Sequence, residues 1–161
     1  MITGILAQAQ DTVTMKNGNL YTGKVQLISD NYVQIIKGST MNQVPRKAIK
    51  RVLFENSGDN AIFVNRIDIN GMDNEFIQII GYKKGLFNND VIINIDYGQK
   101  SSYFGSRKQM IADYRGQIIE FHSMIDALNY LTKRGWEFVD NYPMSSSQGS
   151  AYHYLLRRKR D

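Results

Sequence analysis

The clearest periodic signal in the chain lies toward its C-terminal end. Met124, Ala127, Leu128 and Leu131 fall at i, i+3, i+4 and i+7 and so share one helical face. Ser123 stands before them as an N-cap. Asp126, three residues on, completes a capping-box variant with aspartate in place of glutamate or glutamine. Lys133 and Arg134 occupy the last turn, where the helix dipole favours cations, and Gly135 suits the positive φ on which helices end. Counting back from Gly135 makes Leu131 and Trp136 the pair that meets in a Schellman cap. The single tryptophan is therefore expected to fold back onto its own helix and open a strand over residues 136–142.

Upstream the period is two rather than 3.6. Residues 12–16 alternate, Asn17-Gly18 is a type I′ hairpin signal, and residues 20–28 continue as a strand with Gly23 as a bend. Asp30-Asn31 turns the chain into a β-branched strand over 32–37. A short run over 41–44 stops at Pro45, and 49–54 forms the last strand. Five short strands in so few residues predict a small closed or nearly closed barrel over residues 11–56, because an open sheet of that size would expose pairing edges. Residues 57–75 are rich in Gly, Asn and Asp and read as an exposed connector. Beyond them, 76–82 and 91–97 pair as a hairpin, 98–108 is a loop, and 109–114 and 117–122 are short strands. The helix and the Trp136 strand follow, then a serine-rich loop over 143–150 and a closing strand over 151–158. Strands, one helix and strands again define an α+β domain over 76–161, with a mainly antiparallel sheet.

The stretch Met15 to Ile36, MKNGNLYTGKVQLISDNYVQII, has a glycine turn, a second glycine in a bent strand, and an aspartate before an alternating strand. In this it resembles the Sm-like and SH3-like small barrels. The Sm-like resemblance implies RNA contacts from loops, although the second loop here, Val44-Pro45-Arg46-Lys47-Ala48-Ile49, departs from the Sm signature. The pattern KNGxxxxGKV also resembles the opening of envelope proteins from Bacteroidetes-type bacteria. The second half is similar to small bacterial domains of unknown function of the DUF4177 kind. That resemblance rests on Asp126-Ala127-Leu128-Asn129, Gly135-Trp136-Glu137 and Tyr152-His153-Tyr154-Leu155-Leu156-Arg157-Arg158.

Composition narrows the function classes. The absence of cysteine excludes disulfides, thiol catalysis and cysteine-based metal sites. No apolar run approaches the ~20 residues of a spanning helix. The net charge of +5 divides as +4 over residues 11–56 (seven basic, three acidic), −3 over 57–75 (one and four) and +4 over 76–161 (twelve and eight). Two basic blocks thus flank an acidic connector, an arrangement that suits an anionic partner as well as solubility. At the N-terminus Ile2, Ile5 and Leu6 precede Ala7-Gln8-Ala9, an A-x-A pattern of the signal-peptidase kind, but no basic residue occurs before Lys16; residues 1–10 are read either as the remnant of a signal peptide, the favoured expectation, or as an ordinary terminus.

Catalytic constellations are not apparent. His122 and His153 lack a second ligand at metal spacing, Ser145-Ser146-Ser147 has no nucleophile-elbow context, and the glycines form no phosphate-binding motif. What remains is cationic. Arg46, Lys47, Lys50 and Arg51 surround the last barrel turn. The loop carrying Tyr103, Arg107 and Lys108 mixes aromatic and basic side chains as nucleic-acid binders do. Arg157-Arg158-Lys159-Arg160 reads as a solvated end. The sequence therefore predicts a non-enzymatic secreted or cell-envelope protein, periplasmic or otherwise extracytoplasmic. It would have no cofactor and no metal, and would act through protein or surface contacts. The competing expectation is a cytoplasmic Sm-like RNA-binding module using Arg46, Lys47, Lys50, Arg51, Tyr103, Arg107 and Lys108.

Overall fold

A computed structural model describes residues 10–83, 91–99, 109–146 and 149–159. The strands are β1 (Asp11–Met15), β2 (Leu20–Ile28), β3 (Tyr32–Lys37), β4 (Thr40–Pro45), β5 (Ile49–Leu53), β6 (Phe63–Val64), β7 (Ile67–Asp68), β8 (Phe76–Lys83), β9 (Val91–Asp96), β10 (Ile111–Ala112), β11 (Trp136–Ser146) and β12 (Gly149–Arg158), with one helix, α1 (Met124–Thr132). They build a first sheet of order β10-β6-β7-β5-β1-β2-β3-β4 and a second of order β11-β12-β8-β9. Apart from the parallel β5–β7 contact, the strand pairs are antiparallel. The chain is thus a β-rich α+β fold.

The first five strands lie close to where the period-two pattern places them. Val13, Val25, Val33, Ile35, Val44, Ile49 and Val52 point inward and form one buried cluster with Phe54 and Ile67. Gly18, at φ 90°, makes the β1–β2 turn, in which Met15 N–H donates to Asn19 O at 2.8 Å. Gly23 is the bend: a Cβ there would collide with the Ile36 carbonyl, and the β2–β3 register slips just beyond it, between Val25 and Leu27. These strands do not close into the expected five-stranded barrel. β4 pairs only with β3, and β5, which would have to meet it, takes β7 instead, with Val52 opposite Ile67 and Val52 N–H donating to Arg66 O at 2.8 Å. A β5 edge satisfied by another partner has no hydrogen bonds left to close a ring.

That partner comes from residues 57–75, which the sequence presents as an exposed connector. Ile62, Phe63, Val64, Ile67, Asp68, Ile69 and Asn70 are instead buried. Ile67 enters the first core, whereas Ile62, Val64 and Ile69 enter the second, and Met72 packs against both. The polar residues that mimic a linker are here the means of burying it. The Asp68 carboxylate, fully buried, accepts backbone N–H bonds from Ile62 at 3.1 Å, Asn70 at 3.0 Å and Phe54 at 3.4 Å. Irregular backbone can be buried once its N–H groups have such acceptors.

In the second half, α1 starts as predicted: Asp126 N–H donates to Ser123 Oγ at 3.1 Å. The shorter aspartate reaches the N–H of His122 rather than the cap residue's own, at 3.2 Å. Gly135 has φ 89°, and its N–H reaches Thr132 O at 3.5 Å, while Leu131 O accepts from Arg134 at 2.9 Å. The last turn therefore tightens into a 3-10 form, and Arg134 takes the carbonyl that a full Schellman cap gives to Trp136. Trp136 and Leu131 are nonetheless both wholly buried in the second cluster, with Ile77, Ile79, Ile93, Ile95 and Leu156. β11 runs through Pro143 to Ser146 where a serine-rich loop is expected. Proline is tolerated because β11 is an edge strand, with β12 on one side only. The expected strands over 109–114 and 117–122 shrink to β10 and single bridges, Asn94 with Met110, Ala112 with Ile118, and Val91 with Phe121. Since β10 also pairs with β6, residues 110–112 tie the two sheets together.

Trp136 is fastened by its polar edge as well. Its indole N–H donates to Asn70 Oδ1 at 2.7 Å, and Asn70 Nδ2 donates to Asn60 O and Arg134 O, both at 2.9 Å. The Arg158 guanidinium sits 4.5 Å from the indole centroid and donates to Asn74 O, Asn70 O and Met72 O, each at 3.0 Å. Arg158 is thus a clamp on residues 70–74 rather than part of a solvated end. Trp136→Ala should lower unfolding free energy by about 3–5 kcal/mol. Asn70→Ala, which strands the buried indole N–H, should cost about 1–3 kcal/mol. Urea denaturation midpoints near wild type for both variants would contradict this account of the junction.

Candidate anion-binding cleft

The cationic residues picked out by the sequence do not converge on one point. Arg46 is half-buried, and its Nη2 donates to Asn65 O at 3.2 Å. Burial, reinforced by the Arg66 charge, lowers its pKa from the usual arginine value, while Tyr97 and Asp30 act in the other direction. Burial likewise raises the Tyr97 phenol above its ordinary value, against the pull of Arg46. Arg46 therefore braces the turn after β6. Lys47 is exposed on the 3-10 turn Arg46–Ala48. Lys50 and Arg51 do come together with other cations, in a cleft. Tyr103, Arg107 and Lys108 lie outside the described residues.

The cleft is open and measures about 630 Å³. Lys16, Lys50, Arg51, Arg66 and Arg115 line it, with Phe63, Met110, Ala112 and Ile118 as its apolar part and Asn65, Tyr114 and Gln117 beside them. Two turns shape it. In the first, Val64 faces Ile67 across a two-residue loop in which Asn65 has φ 48° and Arg66 φ 69°. Positive φ at both positions is the type I′ geometry, which favours Asn first and Gly second. Arg66 in the glycine position is a strained choice, and its side chain is held, with Nη1 donating to Ile49 O at 3.2 Å. In the second turn, Asp113 Oδ1 accepts from Arg115 N–H and Gln117 N–H, both at 2.8 Å, and Gly116, at φ 86°, donates to Asp113 O at 2.9 Å. That Asx turn fixes Arg115 at the rim, where its Nε donates to Tyr114 Oη at 2.7 Å.

Five cations and one carboxylate, Asp113, therefore line the cleft. Among the described residues none of the five is in an ion pair; the pairs present are Lys24 with Asp11 and Arg157 with Glu137. Uncompensated cations around a concave, partly apolar surface focus a positive potential, which draws anions from solution. Sequence reasoning identified Lys50 and Arg51 but missed Lys16, Arg66 and Arg115. Lys16 reads only as the residue before Asn17-Gly18. Arg66 is hidden because Val64-Asn65-Arg66-Ile67 lacks the glycine that advertises a hairpin. Arg115-Gly116 is legible as a turn, but not as a neighbour of β5.

Among the described residues no three or more His, Asp or Glu side chains gather as metal ligands, and no helix is long and apolar enough to cross a membrane. Comparison of the chain with protein-family models, curated proteins and solved structures gave no match. The functional reading therefore rests on the geometry and chemistry of the chain itself.

His153 marks a second polar spot, on the face of the β8–β12 sheet away from α1. It stacks on Tyr142 with centroids 5.0 Å apart, and its Nδ1 lies 3.1 Å from Gln78 Oε1. Gln78 Nε2 donates to Tyr142 Oη at 2.8 Å, which leaves Oε1 to accept and assigns the proton to Nδ1. Burial holds the imidazole below the usual histidine value. The neutral ring is therefore favoured in the fold, so its contribution is complete above about pH 6.5 and is lost as pH falls through the lowered value. Thermal melts from pH 7.5 to 5 should show a decline that His153→Gln reduces. An unchanged pH profile in that variant would remove His153 as the cause.

Proposed function

We propose that this chain is a non-enzymatic binding protein of the secreted or cell-envelope class, and that it makes its contacts by drawing an anionic partner into the basic cleft. The observation that carries the reading is the set of cations Lys16, Lys50, Arg51, Arg66 and Arg115, without an ionic partner among the described residues, around one concavity. Placement outside the cytoplasm is supported by the A-x-A pattern at Ala7-Gln8-Ala9 and by the KNGxxxxGKV resemblance. A second reading, an Sm-like RNA module, is favoured by exposed Lys47 beside Arg46 on the turn between β4 and β5.

Fluorescence anisotropy with U-rich and A-rich single-stranded RNA separates the two. An electrostatic cleft attracts both strands alike at low salt and releases them as counterions compete. Binding should therefore be weak and similar for both RNAs. It should be diminished by combining Lys50→Ala with Arg51→Ala, and nearly gone at about 0.15 M salt, where the Debye length is about 8 Å. Tight binding at that salt with a base preference, abolished by Arg46→Ala together with Lys47→Ala, establishes the RNA module instead. No attraction of either RNA at any salt removes RNA as the anionic partner of the cleft.

A further inference from the structure

The two ends of the cleft have different chemistry, and a reading of its occupant that rests on the anion-binding role follows from that difference. At one end of β6, Arg66 is pinned to the Ile49 carbonyl, next to Lys50 and Arg51 on β5. Lys16 joins them, because its backbone N–H donates to Ala48 O at 2.8 Å. Four cations with no ionic partner among the described residues repel one another, and a multiply charged anion relieves that repulsion. Arg66 holds its place in left-handed backbone that glycine would take without strain.

Beyond β6 the surface is apolar. Ala112 pairs with both Phe63 and Ile118, so the three lie in one row on one face. Tyr114 rises beside this row. It is 56% exposed, with the Arg115 guanidinium 5.2 Å from its ring centroid. Phe63 is itself buried, so half-buried Ala112 and Ile118 are the open part of this row, and with Tyr114 and Arg115 also lining the cleft they offer a planar ring apolar and aromatic contact. Asp113 is turned into its own backbone, and so meets an incoming anion least directly. The volume of about 630 Å³ falls in the range of small-molecule sites rather than of a long polymer track.

We propose that the cleft is a binding site for a phosphorylated small molecule with a planar ring, of the nucleoside polyphosphate class. Its phosphates lie among Lys16, Lys50, Arg51 and Arg66, and its ring lies against Ala112 and Ile118 beside Tyr114. Arg66 supplies a guanidinium for paired N–H bonds to phosphate oxygens, and Tyr114 separates ring-bearing ligands from bare phosphates.

The test is titration of the full chain with a fluorescent nucleoside triphosphate at low salt. The competitors are unlabelled nucleoside triphosphate, inorganic triphosphate and a single-stranded RNA of about ten nucleotides. Arg66→Gly installs the residue the turn prefers, so the thermal midpoint should hold or rise while affinity for the triphosphate falls about tenfold or more. The exposed Lys50→Ala should weaken binding in the same sense and decides the matter if Arg66→Gly folds poorly. Tyr114→Ala should weaken the nucleoside triphosphate about fivefold or more and leave inorganic triphosphate unchanged. Arg157→Ala, remote from the cleft, should change neither. Equal affinity for inorganic and nucleoside triphosphate, or binding indifferent to both Arg66→Gly and Lys50→Ala, overturns the proposal. If RNA binds in a Lys50-dependent way and the nucleotide does not, the small-molecule assignment falls while the anion cleft stands; if neither binds, both fall.

Discussion

The hydrogen bond from the Trp136 indole to Asn70 is the contact on which the two halves of the molecule depend. Each partner is committed elsewhere as well. The Asn70 amide bridges Asn60 and Arg134, and so joins the end of the 3-10 segment Glu55–Asn60 to the turn just after α1, while Arg158 spans the carbonyls of Asn70, Met72 and Asn74. A buried indole N–H without an acceptor costs about 1–3 kcal/mol. The segment carrying Asn70 is thus drawn against the second core, and with it come Ile62, Val64 and Ile69.

That commitment shapes the first sheet too. Once residues 62–70 are held inward, β7 takes the free edge of β5 with β6 beyond it, and the ring that five strands could have closed stays open. The opening is what makes the cleft. The β6–β7 turn carries Arg66 to β5, and β10, paired with β6, carries the Asp113–Gly116 turn to the same region. Lys16, Lys50 and Arg51 already meet through the β1–β5 pairing, and the open sheet adds Arg66 and Arg115 to them around one concavity.

Charge follows the same geometry. The −3 of residues 57–75 counts toward an acidic connector in the sequence, yet Asp68 is wholly buried and bonded to three backbone N–H groups. The one cation of that segment, Arg66, faces the cleft. Net charge by block says little about the local field once some charges are turned into the backbone and others onto a surface.

Local signals alone determined much of the secondary structure. Period-two alternation and the Asn17-Gly18 turn place β1 to β5 within a residue or two, and the Ser123 cap and Gly135 bound α1, because hairpin and cap chemistry are settled by neighbours in sequence. Tertiary structure alone decided the fate of residues 57–75. Asp68 and Asn70 look like linker residues until their acceptors and donors are found at Phe54, Ile62, Arg134 and Trp136, the last two far along the chain. The same holds for the cleft. Lys50 and Arg51 were legible as a basic cluster. Arg66 and Arg115 join them only through the pairing of β5 with β7 and of β6 with β10, and no periodicity in the chain encodes which strand edge a two-residue strand will meet.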